Sequence, residues 1–319
     1  MTRQSDIAAI AIGRNEGDRL VRCLASLVSV AGRVVYVDSG STDGSLNAAR
    51  EAGAEVVMLD TSVPFTAARA RNAGLDHLAK NAQPAFVQFV DGDCELDPDW
   101  LPKARRFLDS HPSVAVACGR RRERFPDATI WNQLIDYEWD TPVGEARACG
   151  GDALMRWQPL QDLGGYNPRL IAGEEPELCV RLRAAGWKIW RLDAEMTLHD
   201  AAMTRFSQWW KRAARAGHAW AEGAALHGAA PERHAVAPTR RALIWGLVLP
   251  LVALLPAPWW PWSLLILTAY PLQILRLSRK MGFLRACFLT LGRFPEAQGV
   301  LTYVFNRFRG RRSGLIEYK

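Results

Sequence analysis

Paired cysteines are missing from this chain. Its six cysteines (Cys23, Cys94, Cys118, Cys149, Cys179, Cys287) are scattered and form no Cys-x-x-Cys unit. That spacing argues against a zinc knuckle or a disulfide framework and suits a reducing compartment. A cleavable leader is not evident either: a short polar start passes through the apolar run 7–12 straight into Gly13-Arg14-Asn15-Glu16. The catalytic part is therefore expected to stay in the cytoplasm. Gly13-Arg14-Asn15-Glu16-Gly17 makes a poor phosphate loop, which counts against sugar nucleotidyl transfer. Charge balance is also lacking. The formal net charge of +7 calls for an anionic partner, whether a membrane surface, a phosphorylated substrate or a nucleic acid. The arginines gather late in the chain beside apolar segments and no recognition motif accompanies them, so a membrane is favoured and nucleic acid is not expected.

What is present is enough apolar residue to fill a core, 49% of 319, with an unusual 13 tryptophans. The runs 7–12, 34–37, 54–59 and 86–90 read as strands, and 18–30, 45–52 and 66–80 as helices with apolar residues at helical spacing. A further helix is expected over 97–110 and a strand over 114–118. Strands and helices alternating at short intervals predict βαβ units, hence an α/β fold with a mostly parallel, Rossmann-like sheet. The basic stretch 120–124 reads as a solvated loop, and 125–144 as aromatic and less regular. Gly150 and Gly151 permit a tight turn or a close backbone approach to a ligand. Acidic residues around Pro176 mark a helix start, and Gly186 its stop.

The strand at 86–90 ends in Asp91-Gly92-Asp93. In open α/β sheets ligands collect at the strands' carboxyl ends, and two aspartates there suit a hard divalent cation beside phosphate oxygens. A polar turn is the plain alternative. Glu174 and Glu175, beside a second turn of acids, offer a general base or simple complements to a helix dipole.

Six stretches in order resemble family 2 glycosyltransferases: Ile12-Gly-Arg-Asn-Glu16, Val37-Asp-Ser-Gly-Ser-Thr-Asp-Gly44, Ala70-Arg-Asn-Ala-Gly74, Asp91-Gly-Asp93, Gly173-Glu-Glu-Pro-Glu-Leu178 and His199. The resemblance covers roughly residues 5–225. It implies the A-type nucleotide-sugar fold, inversion at the anomeric carbon and a divalent cofactor, Mn2+ or Mg2+. Carried over, Asp38 contacts the nucleotide base, and Arg14, Asn15, Glu16, Asp43, Arg71 and Asp91 serve the donor. Asp93, Asp91 and His199 face the metal and diphosphate. Glu175 stands at the base position with Glu174 as its rival. Gly150, Gly151, Asp152, Trp209, Arg212 and Arg215 are candidates for the acceptor or diphosphate. Two positions depart from the family's usual pattern: Glu175 stands where aspartate is commonest, and Ser39 replaces a second aspartate. UDP is the default nucleotide. The lack of a Gln-x-x-Arg-Trp pattern favours single addition.

Two uncharged apolar runs, 242–255 and 263–275, flank a Pro- and Trp-rich turn, with Arg240 and Arg241 before them and Arg276, Arg279 and Lys280 after. Positive charge at both outer ends predicts a transmembrane or re-entrant helical hairpin with both ends in the cytoplasm. The expected organisation is a catalytic domain over 1–227, a linker over 228–239, the hairpin over 240–280 and a basic amphipathic segment over 281–319. The expected partners are a nucleotide-sugar donor, a lipid-linked or cell-surface glycan acceptor, the inner membrane and other glycan-assembly proteins. A polyprenyl-phosphate acceptor and a non-catalytic sugar-nucleotide sensor are the alternatives.

Overall fold

Residues 7–11 are apolar and wholly buried, so the strand they form has no solvent face and needs cover on both sides. In the computed structural model, which describes residues 4–80 and 83–310, they lie in β1 (Gln4–Gly13) at the heart of a mixed sheet. The parallel half holds β1 between β2 (Ala31–Asp38) and β4 (Phe86–Asp91), with β3 (Glu55–Met58) outside β2. On the other side of β4 come β8 (Ala153–Arg156), β6 (Val114–Glu123), β9 (Lys188–His199) and β5 (Cys94–Leu96), with β7 (Gly144–Ala146) also on β9. Pairs β4–β8, β6–β8, β5–β9 and β7–β9 are antiparallel, and β6–β9 is parallel. The expected α/β architecture is thus present, with its parallel half on the N-terminal side.

The helices cover the sheet with faces legible in the sequence. Leu20, Cys23, Leu24 and Leu27 of α1 (Asp18–Val28) recur at three- and four-residue spacing and are fully buried. Each such leucine contributes about 1.5–3 kcal/mol by burial, and Leu24→Ala would cost about 2–5 kcal/mol. Also on the sheet are α2 (Ser45–Glu51), α3 (Ala67–Ala79), started by a Thr66 cap that accepts from the Arg69 N–H, and α4 (Trp100–Ser110). The polar Gln88 inside β4 is buried because its Oε1 accepts from the Trp100 indole N–H at 2.8 Å.

Two expectations fail between 119 and 144. The stretch 120–124 is no solvated loop: β6 runs on to Glu123, and Arg120 and Glu123 are buried. The reason is compensation from elsewhere, since Arg120 donates to Asp136 at 3.0 Å and a paired guanidinium tolerates burial. The region 125–144 contains α5 (Ile130–Trp139), capped by Thr129 Oγ1 accepting from the Asn132 N–H. After β8 follow α6 (Trp157–Asp162) and α7 (Glu174–Ala184), whose N-cap is Gly173 at φ 80°. That left-handed conformation favours glycine.

The chain divides into two compact units, Met1–Met203 and Thr204–Lys319. The second therefore includes α8 (Phe206–His227), which the sequence reading assigns to the catalytic domain. It continues with α9 (Val236–Leu243), one π-helical turn at 244–248 and α10 (Leu249–Leu254). Pro250 lacks the N–H that would bond one turn back, and the looser register falls just before it. Together they make a continuous helix, Val236–Leu254, of mean hydropathy 1.3, long and apolar enough to cross a membrane. The second apolar run differs from expectation. It opens as a 3₁₀ segment at 261–268 before α11 (Ala269–Met281). The two runs fold back on each other: Ser263 Oγ donates to the Ala253 carbonyl at 2.7 Å, and the Tyr270 hydroxyl to that of Trp245. Two more helices, α12 (Phe283–Leu291) and α13 (Arg293–Phe308), close the described part. The expected basic end beyond 310 lies outside the described residues.

Candidate active site

β1, β2 and β4 end side by side, so the loops at their carboxyl ends meet. Asn15 adopts a left-handed φ of 55°, tolerated by its short amide side chain. From there its N–H donates to Ser41 Oγ at 2.9 Å and its Oδ1 accepts from the Thr42 N–H at 2.8 Å, tying the first loop to the second. Asp43 adds to the tie by accepting from the Gly17 and Ser45 N–H groups. Asp38 is buried, accepting from the Tyr36 hydroxyl and from the Gly40 and Ser41 N–H groups. Glu16 pairs with Arg19 at 2.8 Å, and the exposed Arg14 lies over the Phe65 ring. Arg14, Asn15, Glu16, Asp38 and Asp43 thus gather on or beside the loops at the carboxyl ends of β1 and β2.

At the floor of the site, Arg71 of α3 is 2% exposed and joins three carboxylates. Nη2 meets Asp91 Oδ1 at 2.9 Å, while Nη1 meets Glu174 Oε1 at 2.9 Å and Glu175 Oε1 at 2.8 Å. Asp91 of β4 and Glu174 and Glu175 of α7 thus converge on one guanidinium. Burial and the neighbouring Glu174 carboxylate push Glu175 up from 4.5 to about 7, against the pull of Arg71. Gly151 makes room for this cluster, because a Cβ there would sit 2.8 Å from Asp91 Oδ2 and 2.9 Å from Arg71 Nη2. Gly150 has open space instead.

A second arginine, missed in the sequence, completes the floor. Arg121 of β6 donates to Asp91 Oδ2 at 3.0 Å and Cys94 Sγ at 2.9 Å, and lies 3.4 Å from Asp152. Asp152, fully buried, accepts from the Asp91 N–H at 3.0 Å and the Thr197 hydroxyl at 2.7 Å. It braces Asp91 and Arg121 from inside the fold.

Asp93 and His199 form the adjoining corner. His199 Nε2 lies 3.3 Å from Asp93 Oδ2 and Nδ1 lies 3.5 Å from Glu123 Oε2, with the Trp139 ring edge-on. Burial, and then the Arg121 charge, hold the imidazole below its usual range, which favours the neutral, ligating form. Two groups of potential ligand atoms each fall within 4.8 Å: Asp93, Cys94 and His199, and Asp91, Cys94 and Asp152. The Arg121 guanidinium already fills the second group and engages Cys94. Asp93 oxygen and His199 nitrogen are left as the donors of the first group, and they suit a divalent cation. Around these groups the carboxyl side chains of Asp91, Asp93, Glu123, Asp152, Glu174 and Glu175 outnumber the guanidiniums of Arg71 and Arg121, which favours a cation. Trp209, Arg212 and Arg215 belong to α8 in the second unit, where Trp209 packs on Phe206, Trp210 and Phe288.

This mixed α/β sheet has the A-type glycosyltransferase fold, as the likeness to solved structures shows. The likeness to a Pyrobaculum calidifontis mannosyltransferase solved with GDP-mannose and Mn2+ covers 95% of this chain and 88% of that one, at 20% identity and a TM-score of 0.68. Glucosyl-3-phosphoglycerate synthase of Mycobacterium tuberculosis, solved with Mn2+, UDP and glucosyl-3-phosphoglycerate, matches 70% of this chain and 80% of its own at 18% identity and a TM-score of 0.51. In sequence, the family model "Glycosyl transferase family 2" matches residues 10–162. An uncharacterized glycosyltransferase of Mycobacterium bovis is 30% identical over 56% of this chain and 79% of its own. The Rhizobium meliloti succinoglycan biosynthesis protein ExoA is 29% identical over 53% of this chain, and the match spans 54% of its length. The chain thus spans about half of ExoA, and 60% of the Haloferax volcanii glycosyltransferase AglE. The chain belongs to family 2 of the glycosyltransferases.

Proposed function

We propose that this chain is an inverting, metal-dependent transferase that moves one sugar from a nucleotide donor to a hydroxyl of a lipid-linked or cell-surface glycan. The observation that carries this reading is the single Arg71 guanidinium holding Asp91, Glu174 and Glu175. Donor-side and base carboxylates are thereby fixed within one side chain's span. Glu175, raised to about 7, takes the proton of the attacking hydroxyl. Arg71 fixes the direction of that carboxylate, and Gly151 keeps the floor open beside it. Arg121 and Asp152 keep Asp91 from turning away. Bound by Asp93 and His199, a divalent cation would neutralise the diphosphate as it leaves. The base with its raised value favours a hydroxyl acceptor over a polyprenyl phosphate, which is already ionised.

UDP is the first nucleotide to test, and GDP the second, since the two solved relatives carry UDP and GDP-mannose respectively. ExoA's part in succinoglycan biosynthesis supports a glycan as the end product and fits other assembly proteins as partners. The apolar helix Val236–Leu254 and exposed Trp259, Trp260 and Trp262 support seating of residues 240–280 in the inner membrane, with catalysis on the cytoplasmic side. The test is nucleotide release from a panel of UDP- and GDP-sugars by the purified full chain, with and without Mn2+ or Mg2+. Metal-dependent release from at least one donor, abolished in Asp93→Ala, is expected. Donor binding without turnover under all conditions would overturn the reading in favour of a sensor.

A further inference from the structure

Sheet order places three side chains in one row near the carboxyl end of β9. β9 lies between β6 and β5, and its last residue, His199, is the register partner of Glu123 on β6 and of Cys94 on β5. Glu123 is 3% exposed. Its Oε1 accepts from the Phe125 N–H at 3.2 Å and the Asn132 amide at 3.4 Å, and its Oε2 from the Ala201 N–H at 3.1 Å. These three partners are donors, so the carboxylate acts here purely as an acceptor. Its remaining neighbour is His199 Nδ1, 3.5 Å from Oε2. The opposite ring nitrogen, Nε2, faces Asp93.

A neutral imidazole carries one proton. Carboxylates face both ring nitrogens: the Nδ1–Glu123 contact has hydrogen-bond geometry, and Nε2 meets Asp93 Oδ2 as an ion-pair contact at 3.3 Å, so with the proton on Nδ1 the Nε2 lone pair is turned to the Asp93 side. We infer that Glu123 is the positioning residue for His199, fixing the Nδ1–H tautomer and the ring plane so that Nε2 faces the Asp93 side as a ligand. Carboxylate–imidazole pairs of this kind set the tautomer and basicity of metal-binding histidines in general. The remaining contacts of His199 fit the same role. Trp139 packs edge-on against the ring with its centroid 4.7 Å away, which fixes the plane without competing for either nitrogen. Cys94 is engaged by Arg121. The inference rests on the proposed cation at Asp93 and His199, but the tautomer itself is a property of the metal-free protein.

The first experiment is nitrogen NMR of the metal-free full chain labelled at histidine, above the imidazole titration range, with His199→Ala to assign the signal. An unprotonated Nε2 and a protonated Nδ1 are expected. A dominant Nε2–H form would overturn the inference, whatever the variants do. The second is Mn2+ binding followed by the spin signal of free Mn2+. Glu123→Gln should weaken binding about ten- to hundred-fold, and should cause no further loss in a His199→Ala background. A merely structural role would give additive losses, and wild-type affinity in Glu123→Gln would likewise overturn the inference. If the wild type binds no Mn2+, the proposed cation reading fails, and the tautomer still decides the role of Glu123. If Glu123→Gln does not fold, the wild-type spectrum remains the deciding measurement.

Discussion

Replacing Arg71 by methionine keeps an apolar stem of similar reach and removes the charge. The guanidinium is 2% exposed and touches Asp91, Glu174 and Glu175 at 2.8–2.9 Å. Without it three carboxylates crowd one floor, two of them on adjacent residues. Removing one partner of a buried ion pair costs about 3–5 kcal/mol, because the remaining charge is left uncompensated. A unit of this size loses about 2–4 °C of melting temperature per kcal/mol, so Arg71→Met should melt about 6–20 °C lower. The assay is thermal unfolding of the full chain by circular dichroism. A second variant isolates the cause. Adding Glu174→Gln and Glu175→Gln to Arg71→Met removes two of the stranded charges and should recover most of the lost stability. A single variant that melts within about 2 °C of wild type would refute the hub, since that is 1 kcal/mol or less on the same scale. So would a triple variant no more stable than the single one, because lost packing rather than stranded charge would then explain the change.

Glu175 gives a prediction with a definite sign. A base at about 7 makes kcat/KM rise with pH through that value and level off above it, and Glu175→Gln should lose that limb; a limb that survives would refute the assignment. The stability effect runs the other way. With the folded value above the usual 4.5, ionised Glu175 carries a penalty that is absent below about 4.5, grows up to about 7 and is full beyond it. Glu175→Gln should therefore gain on wild type in melting temperature as pH rises through that window, and a gap independent of pH would count against the shift. At Gly151 an added Cβ would meet Asp91 Oδ2 at 2.8 Å and Arg71 Nη2 at 2.9 Å. Gly151→Ala should lower kcat/KM about 100-fold by misplacing that pair, and a change under about twofold would show that the floor tolerates the shift. In the second unit, Trp259, Trp260 and Trp262 are 85%, 58% and 69% exposed at the turn between the apolar runs. Vesicles with brominated acyl chains should quench the fluorescence of the full chain, and changing all three to phenylalanine should remove much of that quenching; undiminished quenching would sink the seating of this turn.

The parallel half of the sheet was legible because each element there satisfies a local rule. β1 and β4 are runs of apolar residues, α1 repeats its leucines at helical spacing, and α7 opens on glycine and acids. β6 was legible only as far as Cys118, since Gly119 resembles a stop and the three arginines after it resemble a solvated loop. Both signals have another cause. A Cβ at 119 would lie 2.7 Å from the Ala194 carbonyl oxygen and 2.7 Å from the Trp100 ring, so glycine is there for close packing inside the strand. Each arginine meets an acid from a distant segment: Arg120 meets Asp136, Arg121 meets Asp91 and Asp152, and Arg122 meets Glu195. Net charge and local composition carry no trace of such pairing, because compensation is a property of the folded sheet. A trace does survive in the period. Side chains two apart on a strand share a face, and Arg121 and Glu123 are two apart. One reaches Asp91 and the other His199. Read as the end of a strand rather than as a loop, Arg120-Arg121-Arg122-Glu123 would have pointed alternate charges toward the site. The two site residues that sequence reasoning missed were thus hidden by one wrong boundary, and by nothing in their chemistry.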